Sequence, residues 1–208
     1  MEFYDTVNKR KTIRDFQNKS VDLETVKRIL SAGLKAPSND HMRNWEFVIV
    51  NDSDVKARII KNIPKKVSEQ RIRDIIKSWK LDDACQQKMY SDAIPKQYQM
   101  LYQSGCLVLP LFKQSYPLLK PESISALNAF ASIWCCIENI LLASTAEGLA
   151  CALRIPLGNE AERIAEILNF PDNYIMPCYL SIGYPAEDAM MNEQKPFSLE
   201  EKLHFNQW

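Results

Sequence analysis

From about Ser123 to Glu147 the chain reads as one long helix that is apolar on nearly every side. Leu127, Phe130, Trp134, Ile137, Leu141 and Ser144 follow one face, Ile133, Ile140 and Leu142 extend the apolar surface around it, and Gly148 marks the stop. Such a helix is predicted to be buried all round, either at the centre of a fold or at an interface, so the remaining chain has to supply its cover. Gly105–Phe112 is a nearly continuous apolar run, the pattern of a strand enclosed on both faces. Leu149–Ile155 and Met176–Ile182 read as further strands, with a helix at Asn159–Leu168 between them. Upstream, Asp22 is placed to cap a helix carrying Val26, Ile29, Leu30 and Gly33 at i, i+3, i+4, i+7 spacing, stopped by Pro37, and 46–50 forms an early strand. Asp54 is expected to open a short helix through Ile60, and Pro64 to begin a charged helical stretch. Helices alternating with strands, one strand lying far from the others in sequence, predict an α+β fold with a three-layer core.

The 208 residues, 46% of them apolar, suffice for a single domain spanning 1–208 with its own core. With 26 basic and 26 acidic residues the formal net charge is zero, which provides no electrostatic basis for binding nucleic acid or an anionic membrane. No span is expected to reach bilayer-crossing length, and the acidic start Met1–Asp5 lacks the layout of a secretory signal. The expected location is the cytoplasm. Six cysteines, at 85, 106, 135, 136, 151 and 178, include no Cys-x-x-Cys pair and lie mostly in apolar runs, which reads as reduced core cysteine. With only His41 and His204 to complete a ligand set, no metal site is expected.

Two polar segments stand out against this apolar frame. Arg10-Lys11-Thr12-Ile13-Arg14 gathers three cations and a hydroxyl in five residues; that fits a phosphate seat, and equally a solvated basic turn. After residue 185 comes a tail with little regular pattern that still carries Phe197, Leu199, Leu203, Phe205 and Trp208, enough apolar surface to be laid across either its own subunit or a partner.

Taken together, the basic start, the helix ending in Ala36-Pro37-Ser38, and the Trp45-Glu46-Phe47-Val48-Ile49-Val50 strand resemble the opening of the FMN-dependent nitroreductase family. Glu147–Cys151, Arg154-Ile155-Pro156-Leu157-Gly158, Tyr179–Pro185, Lys195-Pro196-Phe197 and the closing His204–Trp208 resemble that family's later segments. The resemblance implies a three-layer α/β/α fold around a central mixed, largely antiparallel sheet. It also implies a variable helical insert at 62–104 and a C-terminal arm at 186–208 that embraces the partner of a homodimer, with FMN at the subunit boundary.

By the same resemblance Arg10 and Lys195 hold the FMN phosphate, Lys11 and Thr12 add contacts beside it, and Arg14 approaches the ribityl chain or the pyrimidine edge. Pro37, Ser38 and Asn39 lie against the flavin, with Arg43 on its O2 or N3 side. The turn Arg154-Ile155-Pro156 supplies a backbone N–H to flavin N5. Ile155 is the residue able to do so, because Pro156 has no N–H. Arg14 and Arg43 are the candidates for electrostatic tuning of the ring; no side chain is needed as acid or base, since the flavin carries the chemistry. The implied reaction is ping-pong transfer from NAD(P)H to an electron-poor small molecule such as a nitroaromatic or quinone. Alternatives on the same fold are dehalogenation, dehydrogenation, flavin breakdown, or a carrier or sensor without turnover. The chain departs from the family pattern where His41 replaces an asparagine, Arg43 a glutamine and Asn44 a proline. Trp79, Tyr90, Tyr98 and Tyr102 of the insert are candidates either for lining a pocket or for core packing.

Overall fold

In the computed structural model, which describes residues 2–208, the elements run α1 (Phe3–Lys9), α2 (Leu23–Gly33), β1 (Trp45–Val50), α3 (Ser53–Ile59), α4 (Glu69–Ser78), α5 (Ala84–Ala93), α6 (Gln97–Gln103), β2 (Cys106–Lys113), α7 (Asn128–Ala146), β3 (Ala150–Arg154), α8 (Glu160–Leu168), β4 (Tyr174–Ile175) and β5 (Tyr179–Gly183). The main sheet has the order β1-β2-β5-β3, with β4 paired to the end of β2, and each of these strand pairs is antiparallel. The parallel element is an isolated bridge between Thr12 and Cys151, which lays the N-terminal basic segment along the outer edge of β3.

Strand β2 explains why the fold has three layers. Its side chains alternate between faces: Cys106, Val108 and Phe112 join one core cluster, Leu107, Leu109 and Leu111 the other. The first cluster is closed by Val26, Ile29 and Leu30 of α2 and by Ile133, Cys136, Ile137 and Ile140 of α7. The second is closed by Ile59, by Met100 and Leu101 of α6 and by Ile164 of α8. Each fully buried aliphatic side chain contributes about 1.5–3 kcal/mol relative to exposure, so a strand with both faces covered is the most strongly held element of the sheet.

Several boundaries move for identifiable reasons. Asp52, and not Asp54, caps α3, its carboxylate accepting from the N–H groups of Asp54 and Val55. The helix expected from Pro64 starts at Glu69, because Ser68 accepts from the Arg71 N–H and supplies the better cap. The strand expected over Met176–Ile182 begins only at Tyr179, after Pro177, which has no N–H for a ladder, and the short β4 lies ahead of the expected span.

The long apolar helix differs most from expectation. A 3₁₀ turn at Ile124–Leu127 precedes α7, and only one face of α7 is buried: Ile133, Cys136, Ile137, Ile140 and Ser144. Ala131, Cys135 and Glu138 on the opposite face are exposed, because no element among the described residues buries them. The 23-residue stretch Ile124–Ala146 is also long and apolar enough to cross a membrane by length and composition, contrary to the expectation that no segment reaches that length. Its buried stripe packs on α2 and the sheet.

All six cysteines are free; Cys106, Cys136, Cys151 and Cys178 are buried and Cys135 is exposed. Burial pushes the thiols of Cys106, Cys136 and Cys151 up to about 11, 12 and 12, so they stay protonated near neutral pH.

The chain forms two compact units. One comprises the chain up to Lys65 together with Lys96–Met190 and holds the sheet and both core clusters; the other comprises Lys66–Pro95 with Met191–Trp208. The stretch 62–104 is thereby divided: α4 and α5 belong to the second unit, while α6 completes the core of the first. Within the second unit Trp79 meets Tyr90 edge-on at 5.2 Å, and the arm is held to α5 by Lys195 on Asp83, Asn192 on Asp92 and the Cys85 thiol on the Glu193 carbonyl.

Close approach at the end of the sheet demands two glycines. A Cβ on Gly105 would stand 2.4 Å from the Lys19 carbonyl oxygen, and one on Gly183 would stand 2.9 Å from the Gly105 nitrogen. Gly105→Ala is expected to destabilise the protein by about 1–3 kcal/mol through displacement of the 19–21 backbone. Thermal unfolding checks this; an unchanged midpoint would show that the crossing segment yields freely.

Candidate active site

The basic cluster lies at the β3 edge of the sheet. The bridge Thr12–Cys151, with the Ile13 N–H donating to the Cys151 carbonyl at 3.3 Å, runs Arg10–Arg14 in the same direction as β3. The segment therefore advances toward the end of β3, where Arg154, Ile155 and Pro156 follow. Lys11 and Thr12 are exposed, Arg10 and Arg14 half-buried. The Arg10 Nε lies 3.7 Å from Glu138 Oε1 on the exposed face of α7, a loose pair that leaves the guanidinium accessible.

Of the three residues at the turn after β3, the structure uses Arg154 internally. Its guanidinium is buried and holds both carboxylate oxygens of Glu160, the Nη2 to Oε1 distance being 2.9 Å. The Glu160 carboxylate also accepts from the Tyr179 hydroxyl and the Leu157 N–H, each at 3.2 Å, and burial with the Glu160 charge alongside pushes the Tyr179 hydroxyl well above its ordinary value. Arg154, placed by the resemblance in the turn against the flavin, thus directs its side chain inward: Nη1 and Nη2 are bonded to Glu160 and to the Ile155 carbonyl, in a setting where an unpaired buried charge would be far costlier. What the ion pair does is fix the turn. Ile155 is left half-exposed, and its N–H has no hydrogen-bond acceptor among the described residues.

Residues 37–43 form a second locus, in the connection from α2 to β1. Asp40, His41 and Arg43 all adopt positive φ, at 51°, 54° and 44°, a costly backbone for side chains of this kind. Side chains hold the loop in place: Ser38 Oγ accepts from the Arg43 N–H, Ser132 Oγ of α7 accepts from the Asn39 N–H, and Asn128 Nδ2 reaches Asn39 Oδ1. Arg43 Nε donates to the Leu34 carbonyl at 3.0 Å, satisfying an orphan acceptor at the end of α2. Pro37 is exposed and Ser38 half-buried at the base of the loop.

A cavity of about 280 Å³ opens beside this loop, lined by Ser38, Asn39 and Arg43 together with Trp45, Phe112 and Lys113. The residues from the β2 end were not anticipated; the signal for them is the abrupt polar turn Lys113-Gln114-Ser115 after seven apolar residues. Neither Tyr98 with Tyr102, stacked at 5.7 Å on α6, nor Trp79 with Tyr90 lines this cavity. Lys195 lies in the second unit with its ammonium 2.8 Å from Asp83 Oδ2, a contact that raises its pKa.

Both loci border α7: the basic cluster at Glu138, the strained loop at Asn128 and Ser132. A run of cations directed toward an N–H without an acceptor among the described residues, and a loop beside a cavity, are parts from which a nucleotide-like cofactor site can be assembled.

Comparison with known proteins agrees with this architecture. The chain is 28% identical over 202 residues to iodotyrosine deiodinase of Nematostella vectensis, covering 96% of this chain and 73% of that protein. Iodotyrosine deiodinase 1 of Homo sapiens is likewise 28% identical over 203 residues, with 96% and 67% covered. The crystal structure of an iodotyrosine deiodinase bound to FMN and 3-iodo-L-tyrosine superposes over the full length of both chains with a TM-score of 0.73 at 21% identity. A BluB-like flavoprotein of Clostridium difficile matches over 99% of both chains with a TM-score of 0.71 at 22% identity. The family model for the Nitroreductase family matches residues 7–184, from ahead of the basic cluster to the end of β5, and a match of that extent makes this chain a member of the nitroreductase family.

Proposed function

We propose that the chain is an FMN-dependent oxidoreductase that draws on NAD(P)H and reduces an electron-poor aromatic or quinone. The observation that carries this reading is the parallel run of Arg10–Arg14 along β3 toward Ile155, which sets cations and an unpaired N–H donor on one sheet edge. That donor set suits FMN: guanidinium and hydroxyl groups match a phosphate near −2 charge, and charge-assisted bonds to it are worth about 1.5–3 kcal/mol each. Arg10, Lys11 and Thr12 would hold the phosphate, Arg14 the polar edge further along, and Ile155 the ring through its N–H. When bound, FMN supplies the hydride and electron chemistry. The Arg154–Glu160 pair keeps the Ile155 turn rigid, and loop 37–43 offers a second wall. Arg154 and Pro156 act as scaffold in this arrangement, by the internal ion pair and by a fixed φ.

The chain works as a homodimer in this proposal. The uncovered face of α7, with Cys135 and Ala131 exposed between the two loci, needs a partner, and a second copy would bring one protomer's strained loop to the other's basic cluster. Sedimentation at twice 24.0 kDa is the expected result; a monomer that retains FMN would refute the dimer.

A second reaction on the same site is reductive dehalogenation, favoured by the iodotyrosine deiodinases among the relatives. One experiment separates the two. An anaerobic absorbance scan with NADH, then NADPH, is expected to bleach a bound flavin, and colour to return with a nitroaromatic or quinone. Return of colour only with 3-iodo-L-tyrosine, with iodide released, would replace the first reading by the second. Absence of flavin after reconstitution would overturn both.

A further inference from the structure

We propose that the cavity beside loop 37–43 is an anchoring subsite for the carboxylate of a single-ring aromatic ligand, held by Arg43 and Lys113. This deepens the oxidoreductase reading and rests on it for the reaction, though not for the binding.

The cavity lies wholly within the first unit, and its volume of about 280 Å³ is at the low end for ligand sites, suited to one ring and not to a dinucleotide. Its apolar floor is Trp45 and Phe112, consecutive anchors across the β1–β2 register, where they are Cα partners. Both are held by the core: Phe112, at 1% exposure, backs the floor, and Trp45 keeps a small accessible edge whose position is thereby fixed. The polar wall is cationic on balance: Arg43 and Lys113 line it against one acid, Asp40, whose carboxylate already accepts from the Asn39 side-chain amide at 2.8 Å.

Arg43 is aimed by its own backbone. With φ of 44° and Nε committed to the Leu34 carbonyl, its two terminal nitrogens are left for a ligand, in the planar fork that suits a carboxylate. Lys113 ends β2 with its N–H donating to the Asn44 carbonyl, so one cation comes from the end of β2 and the other from the loop that leads into its neighbour β1. The wall beyond Lys113 is stiffened by Gln114, whose side-chain amide donates to the Tyr116 carbonyl at 2.8 Å and whose N–H donates to the Asn173 carbonyl. The hydroxyls of Ser38 and Ser115 add neutral polar groups to the wall, while the Ser132 hydroxyl is committed to the Asn128 carbonyl. A neutral aromatic would use only the floor; an aromatic carboxylate would use floor and fork together.

The test is direct binding of 4-nitrobenzoate and of nitrobenzene to the full-length protein, followed by calorimetry or by chemical shifts of the Trp45 indole. The expected result is affinity for 4-nitrobenzoate about fivefold to tenfold above that for nitrobenzene, a preference weakened by added salt and abolished in the Arg43→Gln, Lys113→Gln double variant. Equal affinities, or a preference that survives the double variant with Trp45 still shifting, would overturn the proposal. Lys113→Gln alone, at an exposed strand end, guards against misfolding of the strained loop and is expected to reduce the preference partially; no reduction would count against the lysine's role. Carboxylate binding that persists in a protein unable to pass electrons to any acceptor would sink the oxidoreductase reading and leave the subsite standing.

Discussion

Replacing Glu160 with alanine is expected to destabilise the protein by about 3–5 kcal/mol, a large part of the stability available to a domain of this size. The side chain accepts from Arg154, Tyr179 and the Leu157 N–H at once, and both Glu160 and Arg154 are buried. Its removal strands a guanidinium in a low-dielectric site, together with a hydroxyl and a backbone donor. The penalty belongs to the orphaned charge more than to the pair itself. Arg154→Met combined with Glu160→Leu is therefore expected to recover much of the loss. Urea unfolding of both variants checks this, and a double variant as weak as the single one would show that the pair contributes net stability. The consequence reaches the site, because the carboxylate holds the Leu157 N–H and so the turn that presents Ile155. A Glu160 variant that still folds is expected to bind FMN less tightly.

Arg10→Ala is expected to lower FMN affinity about 10-fold to 100-fold, corresponding to one lost charge-assisted contact of about 1.5–3 kcal/mol. Stability should change little, because among the described residues the guanidinium pairs only with half-exposed Glu138, at 3.7 Å, and pairs of that kind contribute about 0–1 kcal/mol. Titration of the apoprotein, read by quenching of FMN fluorescence, separates the two effects. Equal affinity for wild type and variant would remove Arg10 from the phosphate seat, and a parallel fall in thermal stability would make its role structural.

Much of the architecture was legible because it follows from local rules. The Asp22 cap accepts from the Thr25 N–H at 2.8 Å, Val26, Ile29 and Leu30 are buried where the helical spacing put them, and the apolar run of β2 is covered on both faces. The Arg10–Arg14 cluster stood out in the sequence, but residue type alone fitted a solvated turn as well as an anion seat, and it was the family resemblance that pointed to the cluster and to the Ile155 N–H. What misled was in each case non-local. An all-round apolar helix is indistinguishable in sequence from one buried on a single face, because periodicity reports apolar surface and not what covers it. The internal use of the Arg154 side chain was not foreseen, because its acid, Glu160, lies on the next element and nothing in the spacing announces the pair. The positive φ values of Asp40, His41 and Arg43 had no glycine to announce them.

The sequence by itself determined the class of the fold, the two-faced burial of its central strand, the basic segment and the family. Those are properties of residue type and period, which survive without knowledge of contacts. Only the tertiary structure decided that the basic segment runs parallel to β3, that Arg154 is spent on Glu160, that Lys195 rests on Asp83, and that Arg43 and Lys113 face one cavity. These depend on which of several chemically equivalent partners the packed chain brings within about 3 Å, the distance at which a hydrogen bond or a desolvated charge pair outweighs water.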